Sequence, residues 1–337
     1  MRKFTLPILL FLTSIQIHAQ QDGYQTHFQF NEVSFNPSYA GKVDGKICFS
    51  SLLHQQFLGF ESDPIYDESG KAIIKPYNIA PHTEYFTIST RIYNRLGIAF
   101  QYMKDEIGPQ KMSQPKINLS YYFNFGASHL SIGCYAGMMQ KSLDGTKLIP
   151  LSLLQAPYLP DPNVPINNVS DTKKDLGFGL HYLNKTFNNL NLGLGATHLV
   201  NSVYSFVNSN QKNIAFSNLR THYYFNGSMD FPIGSSIVLQ PNVLLKYGGI
   251  FQYDLNVLAI YNTNFYGGLS YRQADNLNMM VGYLNGNFKV GYAFDFIVNG
   301  LKPGTKTSHE LFISYCYPIK SISHFELNPR HLKDYKN

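Results

Sequence analysis

The stretch QYDLNVLAIYNTNFYGGLSYRQADNLNMMVGYLNGNFKVGYAFD, residues 252–295, decides the fold, because apolar and polar residues alternate along it through several short segments. In the first segment Leu255, Val257 and Ala259 share one face, and Asp254 and Asn256 share the other. The same alternation returns after turn-forming residues at 262–264 and 285–287. A period of two is that of a β-strand, in which successive side chains point to opposite faces. The stretch therefore predicts consecutive strands of one sheet whose polar face carries isolated charges.

The same alternation predicts ten further strands along the chain. They lie at about residues 46–57, 84–92, 96–103, 116–125, 130–139, 175–183, 190–200, 221–231, 237–247 and 309–317. The total is about fourteen, and most are close to the ~9 to 11 residues with which a tilted strand crosses a membrane. The longest connection, residues 140–174, contains several prolines and is predicted to be a functional or mobile loop.

The lengths of the connections favour a membrane barrel over a soluble sandwich. Turns after even-numbered strands are short, whereas those after the first, third, fifth, seventh and thirteenth strands are longer. Outer-membrane barrels have short periplasmic turns and longer extracellular loops, and a soluble sandwich has no reason to sort its connections in this way. We therefore predict an all-β fold, a transmembrane outer-membrane β-barrel of about 14 antiparallel strands, with the apolar face against outer-membrane lipid and both termini in the periplasm.

Composition agrees with this interpretation. Tyr and Phe number 25 each, and charged residues make up only 14% of the chain, against roughly 25% in soluble domains. The net charge of +6 is not clustered, so no nucleic acid is expected as a partner. Residues 1–19 form a predicted signal peptide with cleavage near Ala19, residues 20–45 an irregular plug or cap, residues 46–317 the barrel, and residues 318–337 a basic periplasmic tail.

The sequence offers no catalytic constellation, cofactor motif or metal-ligand spacing. It has no Gly-x-Ser-x-Gly elbow, and the histidines at 54, 181, 222 and 309 fall on different strands, so we expect no enzyme. The charges inferred to face the lumen would either pair across the interior or contact a partner; they are Lys246, Asp254, Arg272, Lys289, Asp295 and Glu310. Glycines on the inferred lumen face, at 177, 179, 193 and 195, would make room for something inside.

The three cysteines form no paired spacing, and their odd number argues against a disulfide framework. If the barrel closes, however, the first and last strands become neighbours, and Cys48 and Cys316 both fall on the lumen face. The sequence thus predicts their proximity without predicting a disulfide.

Several motifs together resemble one known family. Phe30-Asn31 followed by NPSYAG at 36–41 resembles the "FN...NPAYAG" opening of the PorP/SprF family of type IX secretion system outer-membrane proteins. Later matches occur in the same order, at HQQFLGF (54–60), DEIGP (105–109), LLKY (244–247) with Gln252, Asp254 and Asn256, SYR (270–272), GY (291–292) with Asp295, and His309-Glu310. The chain departs from the family pattern in lacking Trp, with Phe57 where Trp is usual, and in its tail after Tyr317.

The resemblance implies a non-enzymatic barrel, of the type found in Bacteroidetes, that helps export or surface attachment of one large, adhesin-like secreted client. Its expected partners are the client's C-terminal domain and other type IX secretion or periplasmic envelope-anchoring proteins. A passive diffusion channel is the alternative. The residues carried over as structural or partner-contact candidates are Phe30, Asn31, Asn36, Pro37, Tyr39, Gly41, Lys246, Gln252, Asp254, Asn256, Arg272, Asp295, His309 and Glu310.

Overall fold

A computed structural model describes residues 22–66, 72–74, 76–93, 95–148, 164–165, 167–207, 213–273, 276–297 and 307–319. The strands are β1 (Lys46–Gln55), β2 (Ile65–Tyr66), β3 (Ala72–Ile74), β4 (His82–Ile92), β5 (Leu96–Ile107), β6 (Gln110–Phe125), β7 (Ser128–Asp144), β8 (Asn168–Asn184), β9 (Leu190–Thr197), β10 (Val203–Val207), β11 (Asn213–Asn218), β12 (His222–Ser228), β13 (Phe231–Ile233), β14 (Ile237–Tyr247), β15 (Phe251–Tyr261), β16 (Phe265–Arg272), β17 (Asn276–Asn285), β18 (Phe288–Ile297) and β19 (Ser308–Pro318). The predicted signal peptide and almost all of the predicted tail lie outside the described residues.

Fourteen antiparallel strands close into one barrel, as predicted. The order around the wall is β12-β9-β8-β7-β6-β5-β4-β1-β19-β18-β17-β16-β15-β14, and pairing of β12 with β14 completes the circle. Strand β13 adds three residues beside β14, and β2–β3 and β10–β11 form two separate hairpins. Among the described residues, no helix is long and apolar enough to cross a membrane.

The two faces of the wall have the predicted polarity. In β15, Leu255 and Val257 are 45% and 46% exposed on the outside, whereas Asn256 between them is 3% exposed on the inside. The same contrast runs around the barrel, where large apolar side chains are exposed and Asn, Ser, Thr and charged side chains are buried. An apolar exterior around a polar interior is the arrangement that a barrel needs in lipid.

The longer connections, at 56–81, 145–167, 198–221 and 298–307, all leave from one end of the barrel, which we call the loop end. We call the other end the turn end. Two predicted connections are shorter than expected, because strands continue into them. The predicted long connection after the third strand is only Gly108 and Pro109, and the predicted loop at 140–174 begins only after Asp144 and ends before Asn168. The outward residues of these extensions are polar, so hydrophobic alternation ends there although backbone pairing continues.

Residues 22–45, which we call the N-terminal segment, lie inside the barrel. Their first residue, Asp22, contacts His222 at the loop end, and Gly41 contacts Ser89 near the turn end, where β1 begins. The prediction that both termini lie at the periplasmic end is therefore wrong for the start of the described chain. The segment before β1 runs back through the lumen.

The predicted proximity of two cysteines is also observed. Cys48 and Cys316 are directly opposed where the first and last strands pair, and they form a disulfide with a Cα–Cα distance of 3.9 Å. The expectation of no disulfide framework is wrong for this pair because barrel closure, not sequence spacing, brings them together. Cys134 is free and exposed.

Candidate functional site

The candidate site is the interior of the barrel, where the wall meets the N-terminal segment. The segment contains three short 3-10 helices, η1 (Phe28–Phe30), η2 (Glu32–Ser34) and η3 (Pro37–Tyr39). The side chain of Asn36 caps η3 by accepting from the backbone N–H of Ser38 at 3.0 Å, and Pro37 occupies the first turn. This part of the NPSYAG motif therefore forms a compact turn by local rules.

The rest of the motif fixes the turn to the wall. Asn36 also donates to the carbonyl of Leu180 at 3.0 Å, and the Tyr39 hydroxyl donates to Asn191 Oδ1 at 3.1 Å. Gly41 has φ 67°, a left-handed conformation that suits glycine, and its N–H donates to Ser89 Oγ at 2.7 Å.

Glycines of the wall make room for this turn. A Cβ on Gly179 would overlap the side chain of Asn36, and one on Gly195 would overlap the carbonyl of Phe35. The inward glycines thus allow the N-terminal segment to approach the wall closely.

Two buried carboxylates hold the start of the segment. Glu310 accepts from the backbone N–H groups of Thr26 and His27, both at 2.7 Å, and its Oε1 lies 2.7 Å from Nδ1 of His27. Asp295 accepts from the Thr26 hydroxyl at 3.2 Å and lies 3.3 Å from Nε2 of His54. Hydrogen bonds to an ionised acceptor are among the stronger ones in proteins, so this cluster anchors residues 26 and 27.

A second group of wall residues contacts the first residues of the segment. Lys246 donates to the carbonyl of Asp22 at 3.2 Å, and Gln252 donates to the Tyr24 hydroxyl at 3.0 Å. Arg272 donates to Asp254 at 2.8 Å and to the carbonyl of Gln25 at 3.2 Å. Most of the polar groups here meet the N-terminal segment rather than one another.

The remaining candidates divide between the inside and the outside. Asn256 donates to Gln29 at 3.2 Å, Asn31 donates to Gln25 at 2.7 Å, and the Phe30 ring stacks on Phe312 with centroids 5.4 Å apart.

His309 differs, because its ring contacts Tyr292 and Thr307 on the outer face. His309 therefore lies on the outer face of β19, unlike the other candidate of this strand. A strand that turns Glu310 inward must turn His309 outward.

Sequence reasoning missed one cluster at the loop end. Oδ1 of Asp22 lies 2.9 Å from Nε2 of His198, and Oδ2 lies 2.8 Å from Nδ1 of His222. The Tyr224 hydroxyl donates to Oδ2 of Asp22, and Nδ1 of His198 lies 3.0 Å from Asp175. The residues come from the N-terminal segment, strands β8 and β12 and the connection after β9, so sequence spacing gives no signal.

Charge dominates this cluster. Burial alone opposes ionisation of Asp22, but the His198 and His222 imidazoles outweigh it and hold the pKa of the carboxyl well below its usual range. Burial would likewise lower the pKa of His198, but the carboxylates of Asp22 and Asp175 outweigh it and raise that pKa to about 9. The N-terminal segment thus begins in an ion-paired group.

Fourteen antiparallel strands with an apolar exterior and a polar interior define an outer-membrane β-barrel. The sequence model of the family described as type IX secretion system membrane protein PorP/SprF matches residues 17–315. The chain belongs to this family, and the resemblance inferred from its motifs is confirmed.

Comparisons with other known proteins gave matches among solved structures. No curated protein sequence matches the chain. The toluene transporter TodX of P. putida is 10% identical, with a TM-score of 0.48 over 84% of this chain and 92% of that chain. The CymD monoaromatic hydrocarbon channel is 12% identical, with a TM-score of 0.45 over 87% and 94%. Omp33 of Acinetobacter baumannii is 7% identical, with a TM-score of 0.42 over 82% and 100%.

Proposed function

We propose that this protein is a non-enzymatic barrel of the type IX secretion system that helps export or surface attachment of one dedicated, large, adhesin-like client. The observation that carries the proposal is the N-terminal segment fastened inside the lumen, which leaves the outer and end surfaces of the barrel for contact with a large partner. The proposed partners are the client's C-terminal domain and other type IX secretion or periplasmic envelope-anchoring proteins. Family membership supports secretion-system components as partners.

The surface that we propose for the client is a raised wall at the loop end. Strands β6, β7 and β8 have 16, 17 and 17 residues, well beyond the ~9 to 11 that cross a membrane. On the outer face of β8, the exposed residues change from polar at Lys174 to apolar at Leu176. On the outer face of β6, the membrane-type apolar residues begin at Ile117, after Pro115. The polar parts, residues 110–115, 140–144 and 168–174, are called the loop-end wall.

The outer face of the loop-end wall and of the adjoining end of β5 presents charged groups of both signs. Glu106 lies 3.0 Å from Lys104 and 3.3 Å from Lys111. On the inner face of β8, Lys173 lies 2.9 Å from Asp171, which also accepts from the backbone N–H of Ser205 at 2.9 Å. The inner side is covered by the β10–β11 hairpin, in which Tyr204 donates to the carbonyl of Met139 at 3.2 Å. A stiff wall with a polar outer face supports recognition of a folded domain rather than passage of a solute.

Affinity purification from native outer membranes tests the proposal. We expect one large exported protein to accompany the wild-type barrel and to lose surface display when the barrel is deleted. Lys111→Glu replaces a cation that contacts Glu106 with a second carboxylate and is expected to weaken capture. Lys185→Glu changes an exposed lysine at the turn end and is the matched control. A wild-type barrel that captures no exported protein, together with unchanged surface display after deletion, would contradict the proposal.

The N-terminal segment, which lies in the lumen and is attached to the wall, favours this proposal over the alternative, a passive diffusion channel. Both sides of the wall contact the N-terminal segment: the backbone carbonyl of Leu180 accepts from the Asn36 side chain, and the Glu310 carboxylate accepts from the backbone N–H of Thr26. In planar bilayers we expect the wild-type protein to show no steady open pore. Steady conductance of the full-length protein would favour the channel instead.

A further inference from the structure

The cluster at the loop end has the composition of a metal site. One oxygen of Asp22 and one ring nitrogen each of His198 and His222 all lie within 4.8 Å of one another. Tetrahedral zinc has bonds of about 2.0 to 2.2 Å to such ligands, which places ligand atoms roughly 3.3 Å apart. The separations of 2.9 Å and 2.8 Å run from the two imidazoles to the two oxygens of the Asp22 carboxylate and are shorter than this, so the side chains must move apart slightly to admit an ion.

The surroundings hold both imidazoles in place. Nδ1 of His198 lies 3.0 Å from Asp175, whose Oδ2 also accepts from the Tyr135 hydroxyl at 2.9 Å. A carboxylate on the far nitrogen of a histidine is the usual outer partner of a metal-bound imidazole, since it fixes the ring and the tautomer. His222 packs against Gly248, where a Cβ would overlap its ring. The backbone at that position is shaped around the histidine.

The contacts of His198 are compatible with a bound ion. His198 has a carboxylate at each ring nitrogen, Asp175 at Nδ1 and Asp22 at Nε2. With a metal, Nε2 of the neutral ring binds the ion while the proton on Nδ1 still donates to Asp175. A dication would thus take the place of the proton between His198 and Asp22.

We propose that Asp22, His198 and His222 bind one zinc-class transition-metal dication, with the Tyr224 hydroxyl or a water in the fourth position. Two imidazoles and one carboxylate suit zinc better than calcium or magnesium, which prefer oxygen ligands. The ion would join the first described residue of the N-terminal segment to β12 and to the connection after β9. The ion would therefore cross-link the N-terminal segment to the wall at the loop end. This inference does not depend on the identity of any client.

Metal content and spectroscopy of the full-length protein in detergent test this inference. After equilibration with micromolar zinc and desalting, we expect about one zinc per wild-type chain. Cobalt, used as a spectroscopic probe, is expected to give visible absorption bands of a tetrahedral site in the wild-type protein without any substitution. Asp22→Asn and His222→Gln should each lower zinc affinity at least tenfold, and Asp175→Asn should lower it about 10- to 100-fold because the His198 ring loses the carboxylate that orients it.

The matched control is His82→Gln. His82 also contacts a carboxylate at the loop end, Glu84 at 2.6 Å, but it belongs to no three-ligand group among the described residues. Its zinc binding should equal that of the wild type, and folding of each variant is checked by heat-dependent gel mobility. The inference is overturned if the wild type holds no more zinc than His222→Gln, or if the cobalt complex shows no tetrahedral bands. The group is then an ion-paired cluster without a metal.

Discussion

Glu310→Gln should release the start of the N-terminal segment while leaving the barrel closed. The carboxylate accepts three contacts of 2.7 Å, from the N–H groups of Thr26 and His27 and from the His27 ring. Glutamine keeps one oxygen but presents an NH₂ where one of these donors points, so at least one hydrogen bond is lost. A hydrogen bond to a charged group contributes roughly 1.5 to 3 kcal/mol. Local opening should therefore become about 10 to 150 times more frequent.

Hydrogen exchange followed by mass spectrometry measures this opening directly. Amides in residues 24–41 should exchange 10 to 150 times faster in Glu310→Gln than in the wild type, whereas amides of β5 and β6 should keep their rates. Glu84→Gln is the matched control, because Glu84 is a partly exposed carboxylate that contacts His82 and Lys104 at the same end.

Two results would refute the reasoning. If residues 24–41 exchange at the wild-type rate in a folded Glu310→Gln barrel, the carboxylate does not hold the segment. If the amides of β5 and β6 exchange faster by the same factor, the segment and the wall open together. The contacts in the lumen would then not stabilise the segment independently of the wall.

Three further results are expected. Gly179→Ala should speed exchange in the N-terminal segment because its Cβ would overlap that segment, whereas Gly267→Ala, whose Cβ would meet nothing closer than 4.0 Å, should not; equal effects would contradict this. With the free cysteine replaced, Lys174→Cys should react with a membrane-impermeant maleimide on intact cells and Lys185→Cys should not, and the reverse pattern would invert the assigned orientation. Cys48→Ser removes a bridge across a sequence separation of 268 and should lower the unfolding free energy by up to about 5 kcal/mol, with midpoints in denaturant that no longer respond to reductant.

The barrel could be predicted because lipid imposes a strict alternation on each membrane-crossing strand. Where strands leave the membrane, lipid no longer selects the outward residues, and the alternation ends although the backbone pairing does not. From Lys174 back to Asn168 the outward residues of β8 are polar. In β6, Pro115 has no backbone N–H and is a residue that sequence patterns assign to loops. Residues 110–115 and 168–174 therefore cannot be distinguished from loops in the sequence. For this reason the connections after the third and fifth predicted strands were predicted to be longer than they are.

The interior was predicted less completely, because its contacts join distant parts of the chain. Glu310 and Asp295 were identified through family motifs, but their partners lie in the N-terminal segment, more than 260 residues earlier. The expectation that lumen charges pair across the interior holds for Asp254 with Arg272, which are opposed on neighbouring strands. No pattern of sequence spacing brings His198 to Asp22, since only the closed barrel places them together.

The N-terminal segment and the seam between β1 and β19 meet at the turn end of the barrel. The segment begins at the loop end and reaches β1 at the turn end, so it occupies the lumen along the barrel axis. Its bulky side chains, such as Tyr39 with 1% exposure, fit between wall residues that a closed barrel holds at fixed positions. The seam between β1 and β19 requires the whole chain, because it pairs the first strand with the last. The Cys48–Cys316 disulfide joins the two strands of that seam covalently, at the turn end where the N-terminal segment passes into β1.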